Sequence, residues 1–232
     1  MVRLADSNRE RPPVSTHASE VSGYLKMWSR YGRAIKDYYE ELWESLPADL
    51  DPPAFARRMG LLVGEVRAGD RALDLGCGAG DLTAALARAG AQVVGADVAE
   101  AALGRARSRH PGVEFRIVPF DGPLPFEDGS FDLVWSSEVI EHVADTARWL
   151  SEVRRVLAPG GRLLLTTPSH GRARVALGGV ERFSEPLGDH LHLYTKRSLR
   201  RVLGEFGFGE VSVRAVDGPP LLKTMLVARG VR

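Results

Sequence analysis

Residues 71–86, RALDLGCGAGDLTAAL, constrain the fold of this 232-residue chain more than any other stretch. An apolar run ends in acidic Asp74, glycines follow at 76, 78 and 80, and a helix-forming segment begins at 81. Glycines at alternate positions let a backbone turn sharply and approach a ligand with no Cβ in the way, and the helix start beyond them offers free amides. The order strand, glycine turn, helix therefore predicts a site that cradles a ligand at the carboxyl end of a first strand. Two phosphate-binding designs are excluded or weakened. A Walker loop needs Gly-Lys-[Ser/Thr], which does not follow, and a dinucleotide fingerprint needs a third glycine where Asp81 stands, a carboxylate unwelcome beside a pyrophosphate.

Downstream, short apolar runs alternate with helical segments: RALDL then 81–89, AQVVGAD then 99–109, VEFRIV, FDLVWS then 144–157, and GRLLLTTP. This alternation predicts β-α units on a mostly parallel sheet. Helix 196–206 is followed by VSVRAV and LLKTMLVA with DGPP between them, which fits a closing antiparallel pair. Upstream, Tyr24, Met27, Trp28, Tyr31, Ile35, Tyr38, Tyr39, Leu42 and Trp43 recur at helical intervals, and PADLDPP breaks the segment. Residues 1–18, rich in charge, Pro and Ser, read as a mobile arm, 19–66 as N-terminal helices, and 19–232 as a single domain.

Composition narrows the partners. Thirty-one basic and thirty acidic residues leave a net charge of +1, so nothing global favours nucleic acid or an anionic membrane, and a small molecule is the default partner. One cysteine, Cys77, rules out an intramolecular disulfide, and no window of about 18 apolar residues occurs, so a cytoplasmic chain without a membrane span is expected.

Asp97 ends the second strand about twenty residues beyond the loop, where a carboxylate can accept both hydroxyls of a ribose; the alternative is a cap for helix 99–109. Asp121, after the third strand, can accept from an adenine amino group or serve only a turn. Together ALDLGCGAG, the Asp97 strand, FDGPLPFEDGSFDLVWSSEVIEHV and VLAPGGRLLLTTP resemble successive motifs of the class I S-adenosylmethionine-dependent methyltransferases, over about residues 55–230. The resemblance implies an α/β fold, a Rossmann-like doubly wound seven-stranded mostly parallel sheet with an antiparallel last strand and N-terminal helices. It also assigns cofactor contacts. Gly76, Gly78 and the loop backbone, Cys77 and Gly80 included, go to the methionine part of S-adenosyl-L-methionine, with Asp74 organising the loop beneath. Asp97 goes to the ribose, Val98 to the adenine face, Phe120 and Asp121 to the adenine edge, and the carbonyl of Ser137 to the methionine amino group.

SSEVIEHV, at the end of the fourth strand, places Glu138, Glu141 and His142 beside the reacting methyl; in a helical turn all three face one way. Three readings stay open: a solvated helix start, His142 as general base with Glu141, or a site for Mg or another divalent cation. The third needs a further ligand, and His190 precedes helix 196–206, with His192 one strand step away. E-x-x-E-H with a downstream His resembles the ubiquinone-pathway O-methyltransferases and the small-RNA 3′-end 2′-O-methyltransferases, which implies metal dependence at Glu138, Glu141, His142 and His190. Residues 168–194 read as a substrate-cap insert whose Arg172, Arg174, Arg182 and Phe183 either hold an acidic acceptor or form solvated surface. Tyr38, Tyr39 and Trp43 either close over the cofactor or pack a helix face, and either Arg57 or Arg58 approaches the cofactor. The expected function is methylation of a hydroxyl on a small molecule, releasing S-adenosyl-L-homocysteine. The alternatives are an RNA 2′-O- or protein methyltransferase, or a non-catalytic cofactor-binding protein of the same fold.

Overall fold

The computed structural model describes residues 35–47, 55–120, 122–179, 190–219 and 222–232; the predicted arm at 1–18 lies outside them. A first helix, α1, is described over 35–45, and α2 (Phe55–Val63) follows. The β-α units are β1 (Arg71–Leu75), α3 (Asp81–Arg88), β2 (Gln92–Asp97), α4 (Glu100–Arg109), β3 (Glu114–Ile117), β4 (Phe131–Ser137), α5 (Thr146–Val156) and β5 (Leu157–Pro168). The chain closes with α6 (Arg172–Gly178), α7 (Lys196–Glu205), β6 (Gly209–Val216) and β7 (Met225–Val231).

The seven strands lie in the order β3-β2-β1-β4-β5-β7-β6. β7 runs antiparallel to both neighbours, and the other pairings are parallel. The expected parallel sheet with a reversed last strand is therefore present. Period two in the central strands sends alternate side chains to opposite layers. Leu73, Leu75, Val134 and Leu163 pack with Leu150 and Val153 of α5 and Leu199 and Leu203 of α7, whereas Ala72, Leu133 and Trp135 pack with Leu62 of α2 and Leu86 of α3. Burial on both faces explains why these strands read as continuous apolar runs.

The chain runs outward from β1 to β3 and then returns to β4 on the other side of β1. Loops leaving the carboxyl ends of β1 and β4 consequently diverge and leave a crevice at the switch point. Helix boundaries shift from expectation where a cap intervenes: α5 starts at Thr146 because the Asp145 side chain accepts from Arg148 N at 2.9 Å. The helical turn expected at 138–142 is corrected. Glu138 sits at φ 56°, in the left-handed region, and a tight turn follows in which His142 N donates to Val139 O at 2.9 Å. Among the described residues no helix is long and apolar enough to cross a membrane.

Candidate functional site

The glycine loop leaves β1 and is tied to β2, since Gly76 N and Cys77 N both donate to Ala96 O, at 2.7 and 3.0 Å. Gly76 has φ 82°, and a Cβ there would lie 2.3 Å from Val139 Cγ2 on the loop after β4. At Gly78, φ 52°, a Cβ would meet the Trp43 ring at 2.8 Å. The two switch-point loops and α1 thus close on one another at positions that exclude side chains. Asp97 receives Gly78 N on Oδ2 at 2.9 Å and Ala99 N on Oδ1 at 3.1 Å, so each oxygen is aimed by an amide and keeps a lone pair for a further donor.

A cavity of about 620 Å³ opens above the loop, lined by Gly76, Cys77, Gly78, Asp97, Val98 and Phe120 on one side and by Ser137, Glu138, Glu141, His142 and His190 on the other. Its size suits a small-molecule site. A nucleoside-containing ligand fits on two observations: the cradle that a Cβ would fill at Gly76, and the amide-aimed Asp97 carboxylate on the wall. Asp74 and Gly80 do not line this cavity. Asp74 lies beneath the loop, 1% exposed, where Thr83 Oγ1 donates to it at 2.6 Å. Burial pushes its pKa up to about 7 against that bond, and the Asp97 charge adds to the rise. At Gly80 a Cβ would meet Phe115 at 2.6 Å, so that glycine serves packing. Asp121 lies outside the described residues.

Of the two arginines, only Arg58 lines the cavity. It is 6% exposed on the cavity wall and its Nη1 donates to Ser137 Oγ at 3.0 Å, whereas Arg57 faces outward to Asp217 at 3.4 Å. Tyr38, Tyr39 and Trp43 of α1 line the cavity. Glu40 holds this helix in place: its carboxylate accepts Glu100 N and Ala101 N at 2.8 Å each, capping α4 from the far side of the cleft. Arg105 of α4 returns the contact, donating to Leu46 O and Pro47 O with its guanidinium 5.9 Å from the Trp43 ring centroid.

Of the charged trio, only part converges. Ligand-capable atoms of Glu141, His142 and His190 lie within 4.8 Å of one another, and Glu138 is not in the group. It lines the same cavity from a left-handed backbone, and the Thr166 hydrogen bond and the Arg58 charge oppose the rise in its pKa that burial imposes. Glu141 is fully buried: Oε2 accepts from Thr167 Oγ1 at 2.8 Å, and Oε1 has no hydrogen-bond donor among the described residues and lies 3.8 Å from His142 Nε2. Burial first, then the Glu138 charge, raises its pKa well above the carboxylate range. His192 is not in the group either; its N donates to Glu141 O at 3.0 Å. One member escaped the sequence reading. His170, 3% exposed just beyond β5, has Nε2 3.0 Å from His190 Nδ1. Burial lowers the pKa of both imidazoles to about 4.

Among the described residues Glu141 Oε1 is an orphaned buried acceptor of the kind a cation satisfies, yet the expected set of four ligands is incomplete. Glu138 stands apart, and a nitrogen of His190 is already engaged by His170. The group then offers three protein ligands, Glu141, His142 and His190, and at His190 only the nitrogen that His170 does not engage.

Residues 73–165 match the family described as Methyltransferase domain. The chain is 36% identical over 180 residues to the demethylmenaquinone methyltransferase of Thermus thermophilus, covering 71% of this chain and 75% of that one. It is 39% identical over 104 residues to the ubiquinone biosynthesis O-methyltransferase of Methylococcus capsulatus, covering 43% of this chain and 44% of that one. Of several other curated relatives the match spans only 32–59% of their length. The fold is similar to the crystal structure of the S-adenosylmethionine dependent methyltransferase from Mesorhizobium loti, with TM-score 0.61 at 23% identity over 80% of this chain and 100% of that one.

Proposed function

Because the chain belongs to the class I S-adenosylmethionine-dependent methyltransferases, we propose that it transfers a methyl group to an oxygen of a small hydroxylated molecule. The observation that carries this reading is that one cavity joins the Asp97 carboxylate to the Glu141, His142 and His190 group. S-adenosylmethionine, when bound, supplies a methyl group made electrophilic by a sulfonium. Asp97 holds the ribose hydroxyls, Val98 and Phe120 the adenine, and Ser137 with Arg58 the amino-acid end. His142 takes the acceptor proton as the oxygen–carbon bond forms and the carbon–sulfur bond breaks, work for which a neutral imidazole is suited. Glu141 Oε1 lies 3.8 Å from His142 Nε2, and because burial raises the Glu141 pKa it stands beside the imidazole more readily as a neutral acid than as a counter-charge. A divalent cation has no part in this step, given the incomplete donor set.

A walled cavity and a net charge of +1 favour a small acceptor over RNA or protein. Calorimetric titration with S-adenosylhomocysteine tests the cofactor half. Wild type binds, and Asp97→Ala weakens binding at least about 100-fold, since two hydrogen bonds to a charged group are lost. No binding by wild type, or undiminished binding by the variant, overturns the reading. Turnover of a panel of catechols, sugars and polyketides tests the acceptor half, and His142→Ala should cost about 100-fold or more in kcat.

A further inference from the structure

We infer that His170 is a positioning residue that locks His190 in one tautomer, as an N–H donor on the cavity wall instead of a lone-pair ligand for a cation. The argument starts at Tyr194, whose backbone is paired with residue 170: His170 N donates to Tyr194 O at 2.9 Å, and Tyr194 N donates to His170 Nδ1 at 2.9 Å. Nδ1 also lies 3.3 Å from Tyr194 O, but the shorter contact from the amide decides, because two N–H groups cannot face each other at 2.9 Å. His170 Nδ1 is therefore bare. An imidazole so held carries its proton on Nε2, which lies 3.0 Å from His190 Nδ1 and donates to it. His190 Nδ1 is then an acceptor, and the His190 proton resides on Nε2.

Neither nitrogen of His190 consequently offers a lone pair to a metal ion. To coordinate, His190 would have to carry its proton on Nδ1 and present it to His170 Nε2, which drives the His170 proton to Nδ1 against the Tyr194 amide. A ligating histidine normally donates its second N–H to a carboxylate or carbonyl that has no proton of its own to move. Here the neighbour is an imidazole pinned in the opposite sense by backbone and 3% exposed. The relay so built reaches from the β5 end to the wall beside Glu141 and His142, whose ring centroid is 5.2 Å from that of His190. Only the naming of this wall as the acceptor side rests on the methyl-transfer reading.

The test uses the full chain labelled in its histidines. Nitrogen-resolved NMR should show a slowly exchanging ring proton on His170 Nε2, coupled through its hydrogen bond to His190 Nδ1 and unmoved by Zn²⁺. A His190 proton found on Nδ1, before or after Zn²⁺ is added, overturns the inference. In calorimetry with Zn²⁺ alone, His170→Phe should raise affinity about 10-fold or more over wild type, because the His190 lone pair is released. Glu141→Gln in the same background should remove the gain. His170→Gln, whose amide can accept from Tyr194 N and donate to His190, should bind Zn²⁺ as weakly as wild type. Equal Zn²⁺ affinity in wild type and His170→Phe overturns the inference, and if that variant does not fold the wild-type spectrum decides alone. S-adenosylhomocysteine titration of wild type, run alongside, separates failure of the methyl-transfer reading from failure of this one.

Discussion

Gly76 is fixed by two demands that a single side chain cannot meet. Its φ of 82° disfavours any Cβ, and the space a Cβ needs belongs to Val139 Cγ2 at 2.3 Å. The left-handed backbone costs a non-glycine residue about 1–2 kcal/mol, and forced overpacking adds about 1–3 kcal/mol. Gly76→Ala should therefore lower unfolding free energy by about 2–5 kcal/mol in urea titration, and adding Val139→Ala should return the packing share while the backbone share persists. Identical midpoints for the single and double variants would show that Val139 is not the obstacle. The glycine itself was legible, because alternate glycines after an apolar run have a backbone meaning. Its reason was not, since Val139 approaches only through the pairing of β1 with β4. The same holds for Glu138 and His170. No local pattern announces that a glutamate will adopt φ 56°, or that histidines twenty positions apart will touch.

Strands β1 to β5 and helices α3, α4, α5 and α7 were legible within a few residues, because each carries its own periodicity and each is bounded by a turn or cap. The docking of α1 was not, because it rests on side chains that bridge distant segments. Glu40 supplies α4 with the cap that Ala99 at its N-cap cannot, as Ala99 has no side-chain acceptor. Burial alone would raise the Glu40 pKa, but the Ala101 and Glu100 amides, helped by Lys36, outweigh it and leave the pKa lowered. Its contribution is thus present above the ordinary carboxylate range and fades as pH falls through the lowered value. Glu40→Ala should cost about 1 kcal/mol, and the amides of Glu100 and Ala101 should exchange with solvent about 5-fold faster. Glu40→Gln should keep much of the protection, since an amide oxygen still accepts. Unchanged exchange at both amides would mean that the cap does not hold α1 against α4.

Across the molecule, the carboxyl edge of the sheet concentrates acids that burial keeps from ionising freely: Asp74, Asp97, Glu138 and Glu141 all have raised pKa values with desolvation the largest cause. Such an edge serves a ligand at the expense of stability, and Asp74 allows the cost to be signed. Its pKa is about 7 in the fold against 3.8 as the ordinary value. Between those two pH values the unfolded chain has released the proton while the folded chain still holds it, so unfolding is favoured progressively as pH rises. The loss begins near pH 4, is complete above about pH 7, and from pH 5 to pH 8 amounts to about 3 kcal/mol, one pKa unit being worth 1.36 kcal/mol. Asp74→Asn keeps the shape, and its amide oxygen can still accept from Thr83, but it has no proton to release. Urea unfolding of the two proteins at pH 5 and pH 8 should therefore show the variant losing about 3 kcal/mol less than wild type across that interval. Parallel pH profiles would mean that Asp74 ionises as readily in the fold as outside it. In that case the carboxylate beneath the glycine loop is charged at neutral pH, and Thr83 Oγ1 donates to an anion instead of to a neutral acid.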